Sequence, residues 1–156
     1  MSDRDRGGGV EGGASADEAG GVRAIIAGHG EFASGLISAI DAITGRAGSF
    51  LAISGRGHSA ASLETLLRTA IERTGVRVVF TDLHAGSCTM AARRVLRDRD
   101  DVLFVAGANL PMLLDFAMSS EDDPLEAARH AIERGRSAIS SVGGAGGGVG
   151  GGGTRA

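Results

Sequence analysis

Four short runs rich in Val, Ile, Leu and Phe recur along this chain, at Arg23–Ala27, Ser49–Ser54, Val76–Thr81 and Val102–Ala106, each bounded by Gly, Asp or Ser. Their length and residue types read as strands. Helical spacing fills the stretches between and after them, at Glu31–Thr44, Ser59–Thr74, Ser87–Arg97, Pro111–Ser119 and Pro124–Ser140. In the second of these, Ala60, Leu63, Leu66, Leu67, Ala70 and Ile71 recur three and four apart and share one face. Ser59 or Ser62 is placed to cap that helix and Gly75 to stop it. Strands and helices in alternation, with short joints, connect through right-handed crossovers. The expected fold is therefore α/β, a doubly wound and mainly parallel sheet of order 2-1-3-4 with helices on both faces. No internal repeat of solenoid period is present.

The capacity to bury apolar surface sets the limits of the folded unit. A chain of 156 residues suffices for one domain with a core. Residues 1–21 are rich in Gly, Ala, Ser and Asp without apolar periodicity, and residues 143–156 are almost pure glycine. Neither end can offset its ordering entropy by burial, so the expected domain is residues 22–142, flanked by flexible glycine-rich tails. The formal net charge of −3, with both signs interspersed, leaves no basic stripe for nucleic acid and no polybasic membrane patch. Trp and Tyr are absent, which removes the best platforms for base stacking. The first residues are charged where a signal peptide has its apolar core, and no apolar run approaches a membrane span. A single cysteine, Cys88, cannot form an internal disulfide and fits a reducing compartment. The expectation is a soluble, cytoplasmic protein.

Such a sheet predicts where a site lies before any motif is read. Open α/β sheets place ligands beyond the carboxyl ends of the strands where strand order reverses, here between the first and third strands. The first strand runs into Gly28-His29-Gly30, and the third into Asp82-Leu83-His84-Ala85-Gly86-Ser87. Glycine on both sides of His29 permits a sharp turn and leaves the imidazole uncovered. Asp82 is thereby brought beside His29, although the two are far apart in sequence.

A carboxylate that accepts a hydrogen bond from one imidazole nitrogen fixes the tautomer. It leaves the lone pair of the other nitrogen facing out and stabilises the charge that grows as that nitrogen is substituted. Beyond Asp82, Ala85-Gly86-Ser87 opens the third helix, where Gly86, Ser87 and free backbone N–H groups suit an anion. Nucleophile, orienting carboxylate and anion cradle together describe a phosphoryl acceptor. An activated phosphoramidate donor requires neither metal nor cofactor, since positioning and hydrogen bonds do most of the work.

Plainer readings stand beside these. His29 could serve as a turn residue, Asp82 as a cap for the turn after its strand, and Ser87 as an ordinary N-cap. Asn109, a candidate for lining the site, also suits the turn into the fourth helix, with Pro111 at its first positions. His58 and His84 end the second and third strands on the same sheet edge as His29, and three imidazoles with Asp82 could hold zinc. The plainer alternative makes His58 a solvated loop residue and His84 part of the site entrance. Gly28-His29-Gly30-Glu31-Phe32-Ala33 also meets the loose dinucleotide fingerprint, with Arg56 where a 2′-phosphate would sit, but no second mononucleotide half follows. Cys88 reads as a small buried residue of the third helix, at a helix N-terminus that would lower its thiol pKa. His130, near Arg129 and Arg134, reads as surface.

Three segments resemble one family in order and spacing. They are Ile26-Ala27-Gly28-His29-Gly30 with Phe32-Ala33-Ser34-Gly35-Leu36, then Asp82-Leu83-His84-Ala85-Gly86-Ser87, then Gly107-Ala108-Asn109-Leu110-Pro111-Met112-Leu113. Over about Arg23 to Ser137 the chain resembles the enzyme IIA domain of the mannose/fructose/N-acetylgalactosamine type in the bacterial sugar phosphotransferase system. The resemblance implies that His29 takes a phosphoryl group from the phosphohistidine of the carrier protein HPr and passes it to a IIB protein or domain. That partner in turn serves a membrane IIC/IID permease. It implies also that Asp82 orients His29, that Gly86 and Ser87 contact the phosphoryl group, and that the protein is a homodimer exchanging a C-terminal edge strand near Ser137–Val142. The usual Gly-Gly-Ser-Pro is Ala85-Gly86-Ser87-Cys88 here, followed by Thr89-Met90. Two other roles fit the same fold: a regulatory or binding protein read out by its phosphorylation state, and the phosphoryl-donor subunit for dihydroxyacetone kinase.

Overall fold

The computed structural model describes residues 21–144. Within them the chain runs β1 (Ala24–Gly28), α1 (Phe32–Thr44), β2 (Phe50–Ser54), α2 (Ala60–Thr74), β3 (Val78–Thr81), α3 (Ser87–Val95), β4 (Leu103–Ala106), α4 (Leu110–Met118) and α5 (Pro124–Ser137). Every strand pair is parallel and the order is β2-β1-β3-β4, as the alternation of strand and helix predicts. The chain steps from β1 to β2 in one direction and returns past β1 to β3 in the other. The reversal therefore falls between β1 and β3. Of the tails expected at residues 1–21 and 143–156, residues 1–20 and 145–156 lie outside the described residues.

Alternation along the central strands sorts the core into two layers, because successive side chains point to opposite faces of a strand. Ala24, Ile26, Phe50, Val78, Phe80 and Val105 pack under α1, α4 and α5. Ile25, Ala27, Ile53 and Val79 pack under α2 and α3. Both faces of β1 and β3 are covered, which is why these strands read as unbroken apolar runs rather than as alternating ones. Phe80 and Phe116 meet edge to face, their ring centroids 5.3 Å apart, at the centre of the first layer.

The helices begin and end where their caps dictate. Ser59 caps α2 by accepting from the Ser62 N–H, and Gly75 closes it in the left-handed region at φ 68°. Asn109 caps α4 through the Met112 N–H, so that helix starts at Leu110 instead of Pro111. α3 ends at Val95 rather than Arg97, with the chain turning on as the Arg99 N–H bonds to Leu96 O at 3.1 Å. Ser49 belongs to a short 3₁₀ turn, Ala47–Ser49, ahead of β2.

α5 stops at Ser137 instead of running on to Ser140, with Ala138 at its C-cap. The exchanged edge strand that the resemblance implies near Ser137–Val142 is not formed within the single chain. Ile139 and Val142 are 77% and 99% exposed, with no strand among the described residues beside them to supply ladder hydrogen bonds.

Candidate functional site

β1 delivers His29 and β3 delivers Asp82 to the same edge of the sheet, because the paired strands are in register, Ala27 beside Thr81. The two residues are bonded twice. The His29 backbone N–H donates to Asp82 Oδ2 at 2.8 Å, and the ring Nδ1 lies 2.7 Å from that same oxygen. Asp82 Oδ1 accepts from the Leu83 N–H at 2.8 Å. An ionised carboxylate only accepts, so the neutral imidazole carries its proton on Nδ1 and keeps its lone pair on Nε2. The Asp82 side chain is 10% exposed and that of His29 is 56% exposed. A half-buried carboxylate thus holds an open imidazole.

Gly28 and Gly86 make this approach possible. A Cβ on Gly28 would stand 2.7 Å from Phe32 Cδ1 and 3.1 Å from both Asp82 Cγ and Oδ2, leaving no room for the carboxylate. Gly86 holds φ at +130° at the start of α3, and a Cβ there would come within 3.0 Å of His29 Cε1 and 3.5 Å of Nε2. The backbone that opens α3 therefore lies against the reactive edge of the imidazole. The Met90 N–H closes the first helical turn on Gly86 O, so the N–H groups of Ser87, Cys88 and Thr89 precede the first intrahelical bond and favour an anion.

Gly86→Ala is expected to destabilise the fold by about 1–3 kcal/mol, the range for a residue held in a disfavoured backbone region. It should also push the imidazole off Asp82. Denaturant midpoints read the first effect, and the NMR signal of the bridging Nδ1 proton reads the second.

Burial works to raise the Asp82 pKa, but the hydrogen bonds from the His29 N–H and ring, the charge that ring carries when protonated, and the Leu83 N–H together hold it below the ordinary aspartate value. The sign follows from linkage. A carboxyl whose pKa is lower folded than unfolded contributes stability above its unfolded pKa, and loses that contribution as pH falls through the folded value. Stability should therefore drop as pH falls below about 4, and drop less steeply in Asp82→Asn. Urea midpoints of the two proteins at pH 6 and pH 3 check this.

Three hydroxyls support the site without touching it. Ser54 Oγ donates to Gly30 O at 2.8 Å and pins the turn after His29. Buried Thr81 donates to Thr89 Oγ1 at 3.0 Å and Thr89 donates to Leu83 O, fixing the loop that carries Asp82. None of the three is singled out by the sequence motifs. Their signal is a hydroxyl at the carboxyl end of β2, another at that of β3 and a third just inside α3, which only the packing turns into a brace.

Other residues marked in the sequence lie elsewhere or play other parts. His58 stands by the start of α2, its Nδ1 3.3 Å from Ser62 Oγ, and His84 Nε2 lies 3.3 Å from the Arg93 guanidinium. Among the described residues, no group of three or more His, Cys, Asp or Glu side chains is placed to hold a metal ion. Asn109 is engaged away from the imidazole. Its Oδ1 caps α4 and its Nδ2 donates to Gly135 O at 3.0 Å, tying α4 to α5. Cys88 is buried beneath the anion cradle, and burial with the nearby Asp82 charge pushes its thiol pKa up, against the lowering expected from its place in the helix. His130 sits on the surface and pairs with Asp115 at 2.9 Å. No described helix is long and apolar enough to cross a membrane.

A doubly wound parallel sheet with a His–Asp pair at its switch point defines a class of α/β protein to which known proteins can be compared. The family model of the PTS system fructose IIA component matches residues 23–133, and the chain belongs to that family. The mannose/sorbose-specific IIA subunit of the phosphotransferase system from Enterococcus faecalis has the same fold at 20% identity, with a TM-score of 0.68 over 79% of this chain and 96% of that one. The phosphotransferase system component EIIA from Streptococcus agalactiae is similar at 22% identity and a TM-score of 0.69, over 77% and 96% of the two chains. A PTS IIA protein associated with the fucose utilization operon of Streptococcus pneumoniae follows at 23% identity and a TM-score of 0.62, over 72% and 90%. No curated protein matches the chain.

Proposed function

We propose that the protein is a phosphocarrier of the sugar phosphotransferase system, accepting a phosphoryl group from phospho-HPr on Nε2 of His29 and passing it to a IIB component. The observation that supports this reading most directly is the double hydrogen bond from His29 to Asp82 Oδ2, which turns Nε2 outward beside the N-terminus of α3. The Nε2 lone pair forms a bond to phosphorus as the donor's P–N bond breaks, and that electron pair returns to the donor nitrogen. Asp82 stabilises the positive charge that develops on the imidazole, while Gly86, Ser87 and the open N–H groups beside them take the phosphoryl oxygens. Asp82 and His29 need no cofactor for this exchange, because the incoming phosphoramidate is already activated.

In this reading the exposed His29 suits a site whose donor and acceptor are both proteins, and sugar selection belongs to the IIB component and to the IIC/IID permease it serves. A folded domain over residues 22–142, a homodimer that pairs the segment after α5 across two copies, and a cytoplasmic location all accord with such a carrier. The test is label transfer from phosphoenolpyruvate through enzyme I and HPr to the purified protein. The expected product is acid-labile and alkali-stable, as a phosphohistidine is. Absence of label with a cognate HPr would overturn the reading.

A further inference from the structure

A phosphoryl group on His29 adds close to two negative charges beside Asp82, which is already negative, and the cradle at α3 offers only backbone N–H groups and a hydroxyl. A cationic side chain, Arg56, stands in the loop after β2. Gly28 and Ser54 are register partners at the ends of β1 and β2, so the two residues that follow each strand run on side by side. Two hydrogen bonds join the loops, Gly55 N–H to Gly28 O at 3.0 Å and Ser54 Oγ to Gly30 O at 2.8 Å, and within the second loop the Arg56 N–H donates to Ser54 Oγ at 3.2 Å. Gly55 is also wedged against α3, where a Cβ would lie 3.1 Å from Cys88 Sγ and 3.6 Å from Ser87 Oγ. The residue just before Arg56 thus touches both the turn that carries His29 and the helix start that forms the cradle.

The Arg56 side chain lies against the turn that carries the acceptor. Its Nη2 lies 3.4 Å from where a Cβ on Gly30, the residue after His29, would stand. The side chain has no ion pair and no hydrogen-bond partner among the described residues, and it is exposed. A guanidinium next to the turn that carries the nucleophile, with its five N–H donors uncommitted, can swing to a planar, two-pronged grip on phosphoryl oxygens.

We propose that Arg56 binds the phosphoryl group carried by His29 and neutralises its charge during transfer. The inference rests on the phosphocarrier reading, and its test is built to separate the two. Wild type, Arg56→Ala and Arg56→Lys are compared with two donors: phospho-HPr, which brings a protein surface, and phosphoramidate, which brings none. Inorganic phosphate is then titrated against the unphosphorylated proteins, with the imidazole NMR signals of His29 as the readout.

Arg56→Ala is expected to slow labelling at saturating donor on the order of tenfold to a hundredfold with both donors. Arg56→Lys should recover part of the loss. The response of His29 to phosphate should weaken in the same order, with the Nδ1 proton signal unchanged. A defect confined to the KM for phospho-HPr would overturn the proposal and make Arg56 a docking contact. Unchanged rates together with an unchanged phosphate response would overturn it outright. If wild type takes no label from phospho-HPr, the carrier reading fails, and the phosphoramidate and phosphate arms still decide the role of Arg56.

Discussion

His29→Ala is expected to abolish labelling by phospho-HPr while leaving the protein folded. The imidazole is more than half exposed, so its removal uncovers little apolar surface. The backbone N–H of residue 29 and the N–H of Leu83 would still bond the Asp82 carboxylate. The expected change in stability is within about 1 kcal/mol, so an unlabelled variant with a native denaturant midpoint isolates the chemical role of the ring. His58 and His84, although on the same edge of the sheet, have no carboxylate on their ring nitrogens among the described residues, and neither should take up label in place of His29. Residual label in His29→Ala would mean that another nitrogen is the acceptor.

Asp82→Asn is expected to slow phosphorylation by on the order of 10²- to 10⁴-fold. The substitution keeps size and shape but changes what Oδ2 can do. A carboxylate can only accept from Nδ1, whereas an amide presenting its NH₂ group would donate to it and turn the lone pair inward. With the wrong tautomer the outward Nε2 carries a proton and cannot attack. The amide also fails to stabilise the positive charge that grows on the ring. The loss should appear in the maximal rate more than in the KM for phospho-HPr, because the Asp82 side chain is 10% exposed and lies behind the surface a partner would touch. Equal rates in wild type and Asp82→Asn would remove the carboxylate from the mechanism.

The way the site emerged has a physical explanation. His29 stood out because glycine on both sides is a local signal, and Asp82 stood out because a parallel sheet of order 2-1-3-4 makes the ends of β1 and β3 neighbours. Ser54, Thr81 and Thr89 did not stand out. A hydroxyl becomes a brace only when a particular carbonyl comes within reach, and those carbonyls, of Gly30 and Leu83, are placed by packing. In the sequence Arg56 stands only where a 2′-phosphate would sit in a dinucleotide fold. Its contact with Gly30 depends on two loops that are bolted together after their strands end. His58 and His84 illustrate the converse: shared position on one sheet edge brought no metal-binding group together, because loop conformation and not strand order sets where a side chain arrives.

By itself the sequence determined the α/β class, the strand order and the edge of the sheet at which His29 and Asp82 meet. Apolar periodicity, capping residues and glycine stops are local, and topology rules then leave few arrangements. It also determined that His29 would be accessible, since two flanking glycines offer nothing to cover it. Only the tertiary structure decided which atoms meet: that one oxygen of Asp82 takes both hydrogen bonds from His29, that the Gly86 backbone lies along the reactive edge of the ring, and that Cys88 is buried with its pKa raised rather than lowered. It also decided that α5 ends at Ser137, leaving Ile139 and Val142 without a strand to pair with among the described residues. Hydrogen bonds and desolvation depend on separations of a few tenths of an ångström, and those are set by long-range packing, to which no local pattern of residues has access.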